Sequence, residues 1–267
     1  MMRSVNAELL KLRRPSVVYG GIAGMLGLSI LATVLLFATA KNTPGPPPLV
    51  NGNQLGSTIP ILGQVGGLTR GFATAAGFLG IVWLVLFITS VTSEYGLGTM
   101  RVLVVRQPRR LRLLSGKLVA LFVCVAVGLL FAEVGGIVAA VVAAHLRGVS
   151  TAQWFTGSGL ARAGGDYANA LLTAVLYGAI GTTVGLLVRS TPLALAAALV
   201  WALPVEHIIN LAWNGASHWF PGLLLDAVAA GGTTLVSYER ALLLGVAYGA
   251  AALLIGAVTF LRRDVVE

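Results

Sequence analysis

The chain has 267 residues, of which 57% are hydrophobic and 10% are charged, and it carries a net charge of +9. Soluble domains contain about 25% charged residues, so this composition and a mean hydropathy of +0.90 exclude an ordinary soluble protein. They predict an all-α integral membrane protein whose single transmembrane domain fills residues 1–267, because apolar segments are spaced along the whole chain.

The start of the chain has a short amphipathic pattern, which predicts a helix lying on the inner membrane surface. Its sequence AELLKLRRPSVVYG leads directly into the first apolar run, residues 17–40. That run is longer than the roughly 7–15 apolar residues of a signal peptide. We therefore expect it to be a retained transmembrane helix.

Six apolar segments are long enough to cross a membrane, since a helix needs about 20 residues to span a hydrocarbon core of about 30 Å. The fourth and fifth segments are separated only by RSTP at 189–192, where the proline favours a tight turn. The fifth segment is interrupted in its second half by Pro204, Glu206, His207 and Asn210. The approximate spans are 17–40, 72–91, 118–144, 168–188, 193–213 and 241–261.

The distribution of lysine and arginine predicts the orientation, because short cytoplasmic loops retain positive charge. With six spans, both termini share a side with the second-to-third and fourth-to-fifth connections. That side holds thirteen of the eighteen basic residues, and the opposite side holds five. We therefore expect both termini and segment 92–117 in the cytoplasm, where anionic lipid accounts for the net charge without nucleic acid.

Two segments on the opposite side are not continuous apolar runs. Residues 41–56 are rich in proline, glycine and asparagine, which predicts an irregular, exposed loop. Residues 214–240 are too interrupted to span, yet they carry Trp219, Phe220 and Tyr238, which suit the lipid headgroup region. This second segment is expected to lie on the outer surface or to re-enter the membrane from it.

Segment 92–117 carries six basic residues and one acid, Glu94, and includes the glycine-rich sequence GLGTMRV. A phosphate-binding P-loop requires G-x-x-x-x-G-K-[ST], whereas Gly116-Lys117 is followed by Leu118. ATP hydrolysis by that mechanism is therefore not expected from this chain. The three histidines lack the spacing of zinc ligands, and no catalytic or metal-binding residue is predicted.

Three ionisable residues within the predicted spans are candidates for a substrate path or gate. Glu133 lies near the middle of the third span, where a carboxylate usually faces the bundle interior or a water-filled path. A hydrogen-bonded glutamate that joins two helices is the alternative. Glu206 and His207 follow Pro204, where a kinked helix could open a polar pocket; a solvated helix end is the alternative there.

Three motifs, taken in order, give the chain a resemblance to a known family. The first is the amino-terminal AELLKLRRPSVVYG, with an acid followed by Lys-x-Arg-Arg. The second is SEYGLGTMRVLVVRQPRRLRLLSGKLVAL, with an acid, Gly98-Thr99, a basic stretch and Gly116-Lys117, and the third is the final FLRRDVVE. On its six-span pattern, the chain resembles from end to end the permease subunit of ABC-2-type ATP-binding cassette transporters.

The resemblance implies that segment 92–117 forms a short coupling helix that docks in a cleft of a separate cytoplasmic ATPase subunit. A basic loop attracted to lipid is the alternative, but it accounts for the arginines and not for SEYGLGT. ATP and Mg²⁺ would be bound by the partner ATPase, and this chain would bind no cofactor. The residues implied in ATPase coupling are Glu94, Tyr95, Gly96, Gly98, Thr99 and Arg101.

The resemblance further implies a complex of two permease subunits, identical or related, with two ATPase subunits in a bacterial cell membrane. The few charges in the spans favour an exported substrate that is amphiphilic or apolar, such as a lipid, a peptide or a drug-like molecule. The alternative function is a stand-alone, ion-coupled secondary transporter that uses Glu133 and the break at 204–207. Carriers built from inverted repeats show paired broken helices, and only one obvious break occurs here.

Overall fold

The computed structural model describes residues 15–42, 49–50, 53–54, 57–106 and 109–262, which are almost entirely helical. A π-helical turn at Trp201–Val205 and a 3-10 turn at Asn214–His218 separate some of the helices. Two-residue strands at Leu49–Val50 and Asn53–Gln54 pair with each other in antiparallel register. The helices are α1 (Pro15–Thr39), α2 (Ile59–Leu62), α3 (Arg70–Gly96), α4 (Thr99–Arg106), α5 (Arg110–Arg147), α6 (Gly157–Val188), α7 (Thr191–Val200), α8 (Glu206–Ala212), α9 (Pro221–Ala229) and α10 (Tyr238–Arg262).

The prediction of an all-α membrane protein with six spanning helices is confirmed for the described part of the chain. Six helices there are long and apolar enough to cross a membrane, with α7, the π-helical turn and α8 together forming the fifth. The predicted amino-terminal surface helix, residues 1–14, lies outside the described residues, as does most of the 41–56 connector.

The spanning helices extend past the predicted spans at their polar ends. Helix α5 has 38 residues, and at 1.5 Å per residue it is about 57 Å long, well beyond the hydrocarbon core. Its first turns, from Arg110, consist of arginine and leucine, which are strong helix formers. It ends at Gly148, whose φ of 65° lies in the left-handed region that favours glycine.

Helix α3 lies at the centre of the bundle and packs against α1, α5 and α6. Its large side chains Trp83 and Phe87 are fully buried. A Cβ atom on Gly178 of α6 would lie 2.7 Å from the Phe87 ring, and one on Gly181 would lie 3.0 Å from the Leu84 carbonyl oxygen. Small residues therefore let α3 and α6 approach closely, as is typical of helices packed in lipid.

The spanning helices alternate in direction, so their connections fall at two opposite ends of the bundle. One end, here called the α4 end, contains α4 and the turn between α6 and α7. The other, here called the α9 end, contains α9 and the connections that follow α1 and α5. The α9 end is held together by hydrogen bonds between distant segments: the Arg147 guanidinium donates to the Ala40 carbonyl at 2.8 Å, and the Trp154 indole donates to the Leu62 carbonyl at 2.9 Å.

The fifth span is broken in the middle. Pro204 lies inside the π-helical turn between α7 and α8. Proline lacks the N–H that would continue the helical hydrogen bonds, and a π-turn is a common way for a helix to absorb such a local mismatch. Side chains on both sides of the break, among them Val200 and Ile208, are exposed in the isolated chain.

Replacing Gly71 with alanine is expected to destabilise the bundle where α1 crosses α3. A Cβ atom there would lie 2.6 Å from the Thr33 Cα, so the backbones must separate, and overpacking of this kind costs about 1–3 kcal/mol. The matched control is Gly27→Ala in α1, where a new Cβ would meet none of the described atoms within 4 Å. Thermal melting in detergent should show a lower Tm for Gly71→Ala alone, and equal Tm values would contradict the crossing geometry.

Candidate functional site

A buried ion pair joins α3 to α5 at the α4 end. The Lys117 ammonium lies 2.8 Å from the Glu94 carboxylate, and the two side chains are only 9% and 11% exposed. Both charges are nearly removed from water, so each depends on the other for its stabilisation. The pair therefore fixes the end of α3 relative to the beginning of α5.

A tight turn redirects the chain from α3 into α4. Gly98 has a φ of 67°, in the left-handed region, where a side chain would strain the backbone. The Thr99 hydroxyl donates to the Glu94 carbonyl oxygen at 3.3 Å. Glycine at this position and threonine after it therefore fix the direction in which α4 leaves α3.

Helix α4 buries one side and exposes the other. Met100 is buried with residues of α3, α5, α6 and α10. Val102 and Val105 of α4 are exposed, Val105 to 82%, and so is Leu97 just before the helix. We call these three residues the α4 surface. The exposed basic residues Arg109 and Arg112 lie next to it in the sequence.

Several contacts connect the α4 end with other spans. The Thr191 hydroxyl of α7 donates to the Thr92 hydroxyl of α3 at 2.8 Å. The Arg189 guanidinium lies over the Tyr95 ring, 5.2 Å from its centroid, a distance typical of a cation–π interaction. The Arg110 guanidinium donates to the Phe260 carbonyl at 3.1 Å, near the end of α10. These contacts therefore join α3 and α5, the helices on either side of α4, to α7 and α10.

The residues expected to couple with an ATPase divide into two groups. Gly96, Gly98 and Thr99 are exposed at the turn into α4. Glu94 and Tyr95 contact Lys117 and Arg189 within the chain, and their part in ATPase coupling stays a prediction. The Arg101 side chain lies outside the described part of the structure.

A cavity of about 870 Å³ opens at the α9 end, between α3, α6, the π-helical turn, α8, α9 and the loop after α9. One end of it is rich in cations. The Arg162 Nε atom lies 3.1 Å from Asp166 Oδ1, and the Thr69 hydroxyl donates to Asp166 Oδ2 at 2.6 Å. Arg70 lines the same part of the cavity.

A second cluster of ionisable side chains in the cavity is centred on Asp226. The His207 Nε2 atom lies 3.9 Å from Asp226 Oδ2. Burial, followed by the negative charge of Glu206, raises the pKa of Asp226 from 3.8 to about 8. The carboxyl group is therefore held largely neutral near neutral pH, and a positive charge placed beside it would favour its ionised form.

Glu206 stabilises the start of α9 and is not among the described residues that line the cavity. It is fully buried, and its Oε2 atom accepts the Leu223 backbone N–H at 3.0 Å, one of the orphan donors at the helix start. A Cβ atom on Gly222 would lie 2.5 Å from the same oxygen, so only glycine permits this approach. The interpretation of Glu206 as a solvated helix end is wrong, because the carboxylate caps α9.

The three predicted path residues are thus placed differently. His207 lines the cavity, Glu206 lies behind it, and Glu133 is buried in α5 and is not among the described residues that line it. Glu133 and Asp166 interact electrostatically. Sequence reasoning missed Asp166 and Asp226 as site residues; the spacing of Arg162 and Asp166, four residues apart on one helix, was the available signal for the first.

The comparisons with known proteins add no relative. No protein-family model matches the chain, and no curated protein matches it. The site is therefore interpreted from its own geometry.

Replacing Asp226 with asparagine is expected to stabilise the protein, and more so at higher pH. The folded-state pKa of about 8 exceeds the ordinary value of 3.8, so wild-type stability falls as pH rises between these values, by up to about 1.4 kcal/mol per unit. Asparagine removes this loss. Thermal melting should show a gain in Tm that grows from about pH 5 to about pH 8. Exposed Glu239→Gln is the control, and a pH-independent difference would contradict the assignment.

Proposed function

We propose that the chain is the permease subunit of an ABC-2-type exporter and that α4 is the helix through which a separate ATPase drives it. The observation that carries this proposal is the α4 surface: Val102 and Val105 are exposed apolar side chains on a short helix that is anchored to the bundle through Met100, and Leu97 is exposed just before that helix. An exposed apolar patch bordered by polar groups is typical of a protein interaction site. The flanking arginines add charge that suits an acidic rim on the partner.

The contacts behind α4 support a role in transmission rather than simple attachment. The buried Glu94–Lys117 pair ties the end of α3 to the beginning of α5, the two helices on either side of α4. Thr92 and Thr191 then join α3 to α7, the first half of the broken span. Closure of two ATPase subunits on ATP would thus shift the spans that surround the substrate path, a rigid-body transition of a familiar kind.

The complex would contain two permease subunits, identical or related, and two ATPase subunits that bind ATP and Mg²⁺. Residues Glu94 and Tyr95 would position α4, while Gly96, Gly98 and Thr99 would approach the partner backbone. The substrate would be amphiphilic or apolar, in keeping with the few charges of the spans.

The proposed orientation places the α4 end in the cytoplasm of a bacterial cell, on the positive-inside rule. Single cysteines introduced as Arg109→Cys and Leu146→Cys in a Cys124→Ser background test it. Arg109 is exposed at the α4 end, and Leu146 is 77% exposed at the α9 end. An impermeant maleimide should label Leu146→Cys in intact cells and Arg109→Cys only after permeabilisation; the reverse pattern would overturn the orientation.

Site-specific photocrosslinking tests the partner. A benzophenone amino acid at Val105 should yield, in cells, a crosslinked product whose second chain carries a P-loop, identified by mass spectrometry. The same amino acid at Leu146, equally exposed at the other end, is the matched control. Crosslinking to the same protein from both positions, or only to lipid from Val105, would count against docking at α4.

A second candidate function is an ion-coupled secondary transporter. The observation that favours it is the broken span, which brings His207 and Asp226 together at a cavity, since discontinuous helices form ion and substrate sites in such carriers. This candidate requires no partner at α4. Dependence of transport on ATP or on an ion gradient therefore distinguishes the two candidate functions.

A further inference from the structure

The cavity at the α9 end is elongated along α3. Its lining on α3 extends from Arg70 to Ile81, twelve residues that span about 16 Å of helix. This is roughly half of the hydrocarbon core of about 30 Å. A ligand that fills the cavity can therefore extend from the α9 end along α3.

The two ends of the cavity differ in charge. At the outer end, the guanidinium groups of Arg70 and Arg162 line the cavity together with one carboxylate, that of Asp166, which forms an ion pair with Arg162. Two cationic side chains and one acidic one thus line this end, and Arg162 is half-exposed. Guanidinium groups match carboxylates and phosphates in geometry, so this end suits an anionic group.

The deeper end is acidic. Asp226 Oδ1 lies 3.7 Å from the position of a Cβ atom on Gly77, seven residues and about 10 Å along α3 from Arg70. Glu206 lies behind it, and the His207 Nε2 atom is 3.9 Å away. That distance exceeds the roughly 2.7–2.9 Å of a strong charge-assisted hydrogen bond, so the carboxyl group can accept a donor from a ligand.

Apolar side chains complete the walls and provide a route from the membrane. Phe78 and Leu203 line the cavity and are 56% and 40% exposed. They belong to α3 and to the π-helical turn of the broken span. The cavity therefore has an apolar wall formed by exposed side chains of α3 and of the broken span.

We propose that this cavity binds an elongated amphoteric molecule, with its anionic group at Arg70 and Arg162, its amine at Asp226 and its apolar body against Phe78 and Leu203. A purely anionic amphiphile offers no donor to Asp226, and a purely cationic one offers no anionic group to Arg70 and Arg162. As a statement about the exported cargo, the inference rests on the proposed transport function. Binding itself requires only the cavity.

The experiment measures binding to the full chain in nanodiscs of zwitterionic lipid, without ATP or any partner, by isothermal titration calorimetry with empty nanodiscs as the baseline. The probes are ω-aminododecanoate, dodecanoate and dodecylamine, which share one chain length and differ in their charged groups. The variants are Arg162→Gln and Asp226→Asn. Their matched controls, Arg240→Gln and Glu239→Gln, change exposed residues at the same end of the bundle.

The amphoteric probe should bind about tenfold or more tightly than either singly charged probe, because each buried charged contact contributes to affinity. Arg162→Gln should reduce its affinity to that of dodecylamine, Asp226→Asn should reduce it to that of dodecanoate, and the controls should change neither. Binding of dodecanoate or dodecylamine as tight as that of the amphoteric probe, or no binding at all, would overturn the assignment. Such a failure would leave ATPase docking at α4 untouched, and loss of that docking would leave probe binding intact.

Discussion

Replacing Lys117 with methionine should lower the free energy of unfolding by about 3–5 kcal/mol, the largest stability effect expected at the α4 end. The Glu94 carboxylate would remain nearly buried, at 9–11% exposure for the pair, without the ammonium group 2.8 Å away. Removing one member of a buried ion pair costs more than the pair itself contributes, because the remaining buried charge loses that stabilisation. Thermal or denaturant unfolding in detergent, by circular dichroism, measures the change.

A second substitution tests the cause of this loss. The double variant Glu94→Gln, Lys117→Met removes both charges and should recover most of the stability, because replacing both members of a buried pair is often close to neutral. Arg112→Met, an exposed basic residue of the same helix, should change stability by less than about 0.5 kcal/mol. A double variant as unstable as Lys117→Met would show that the charge pair is not the cause.

Replacing Val105 with aspartate should abolish docking of the ATPase while leaving the fold intact. Val105 is 82% exposed, so a charged side chain costs the isolated chain little. At the centre of an apolar interface the same charge would be buried without a partner. Loss of a central apolar contact of this kind costs at least about 2 kcal/mol, or about 30-fold in affinity. Quantitative co-purification of the ATPase with the tagged chain measures this loss of affinity.

The control for this prediction lies at the other end of the bundle. Leu146→Asp changes an equally exposed apolar residue and should leave partner recovery unchanged. Arg109→Gln, beside the α4 surface, should weaken recovery moderately and in a salt-dependent way, since exposed charges act mainly on association. Normal recovery of the partner with Val105→Asp would remove α4 as the docking site.

The number and type of the spanning helices could be predicted from the sequence, because lipid admits only segments that satisfy their own backbone hydrogen bonds. Composition and segment length are then sufficient. The ends of the helices were less predictable. Helices α5 and α6 begin at Arg110 and Gly157, outside the apolar runs, where helix propensity and capping determine the first helical residue. Thr156, whose hydroxyl accepts the Gly159 N–H at 3.2 Å, caps α6 through a local contact.

The cavity depends on contacts between distant segments, which hydropathy does not encode. Thr69 and Asp166 are 97 residues apart in the chain, and their hydrogen bond forms only when α3 and α6 pack side by side. Likewise, Glu206 caps α9 because the π-helical turn places its side chain next to the start of that helix. Polar residues in an apolar span could be flagged as unusual, but their partners could not be named.

The most direct test of the account is the ATP hydrolysis that accompanies the chain when it is purified by an affinity tag from its native membrane. The account predicts that the wild-type chain brings with it an ATPase activity, that Val105→Asp loses most of this activity, and that Leu146→Asp retains it. An ion-coupled carrier would instead purify without ATPase activity and respond to an ion gradient. Absence of hydrolysis with the wild-type chain, or equal hydrolysis with Val105→Asp, would contradict the role proposed for α4.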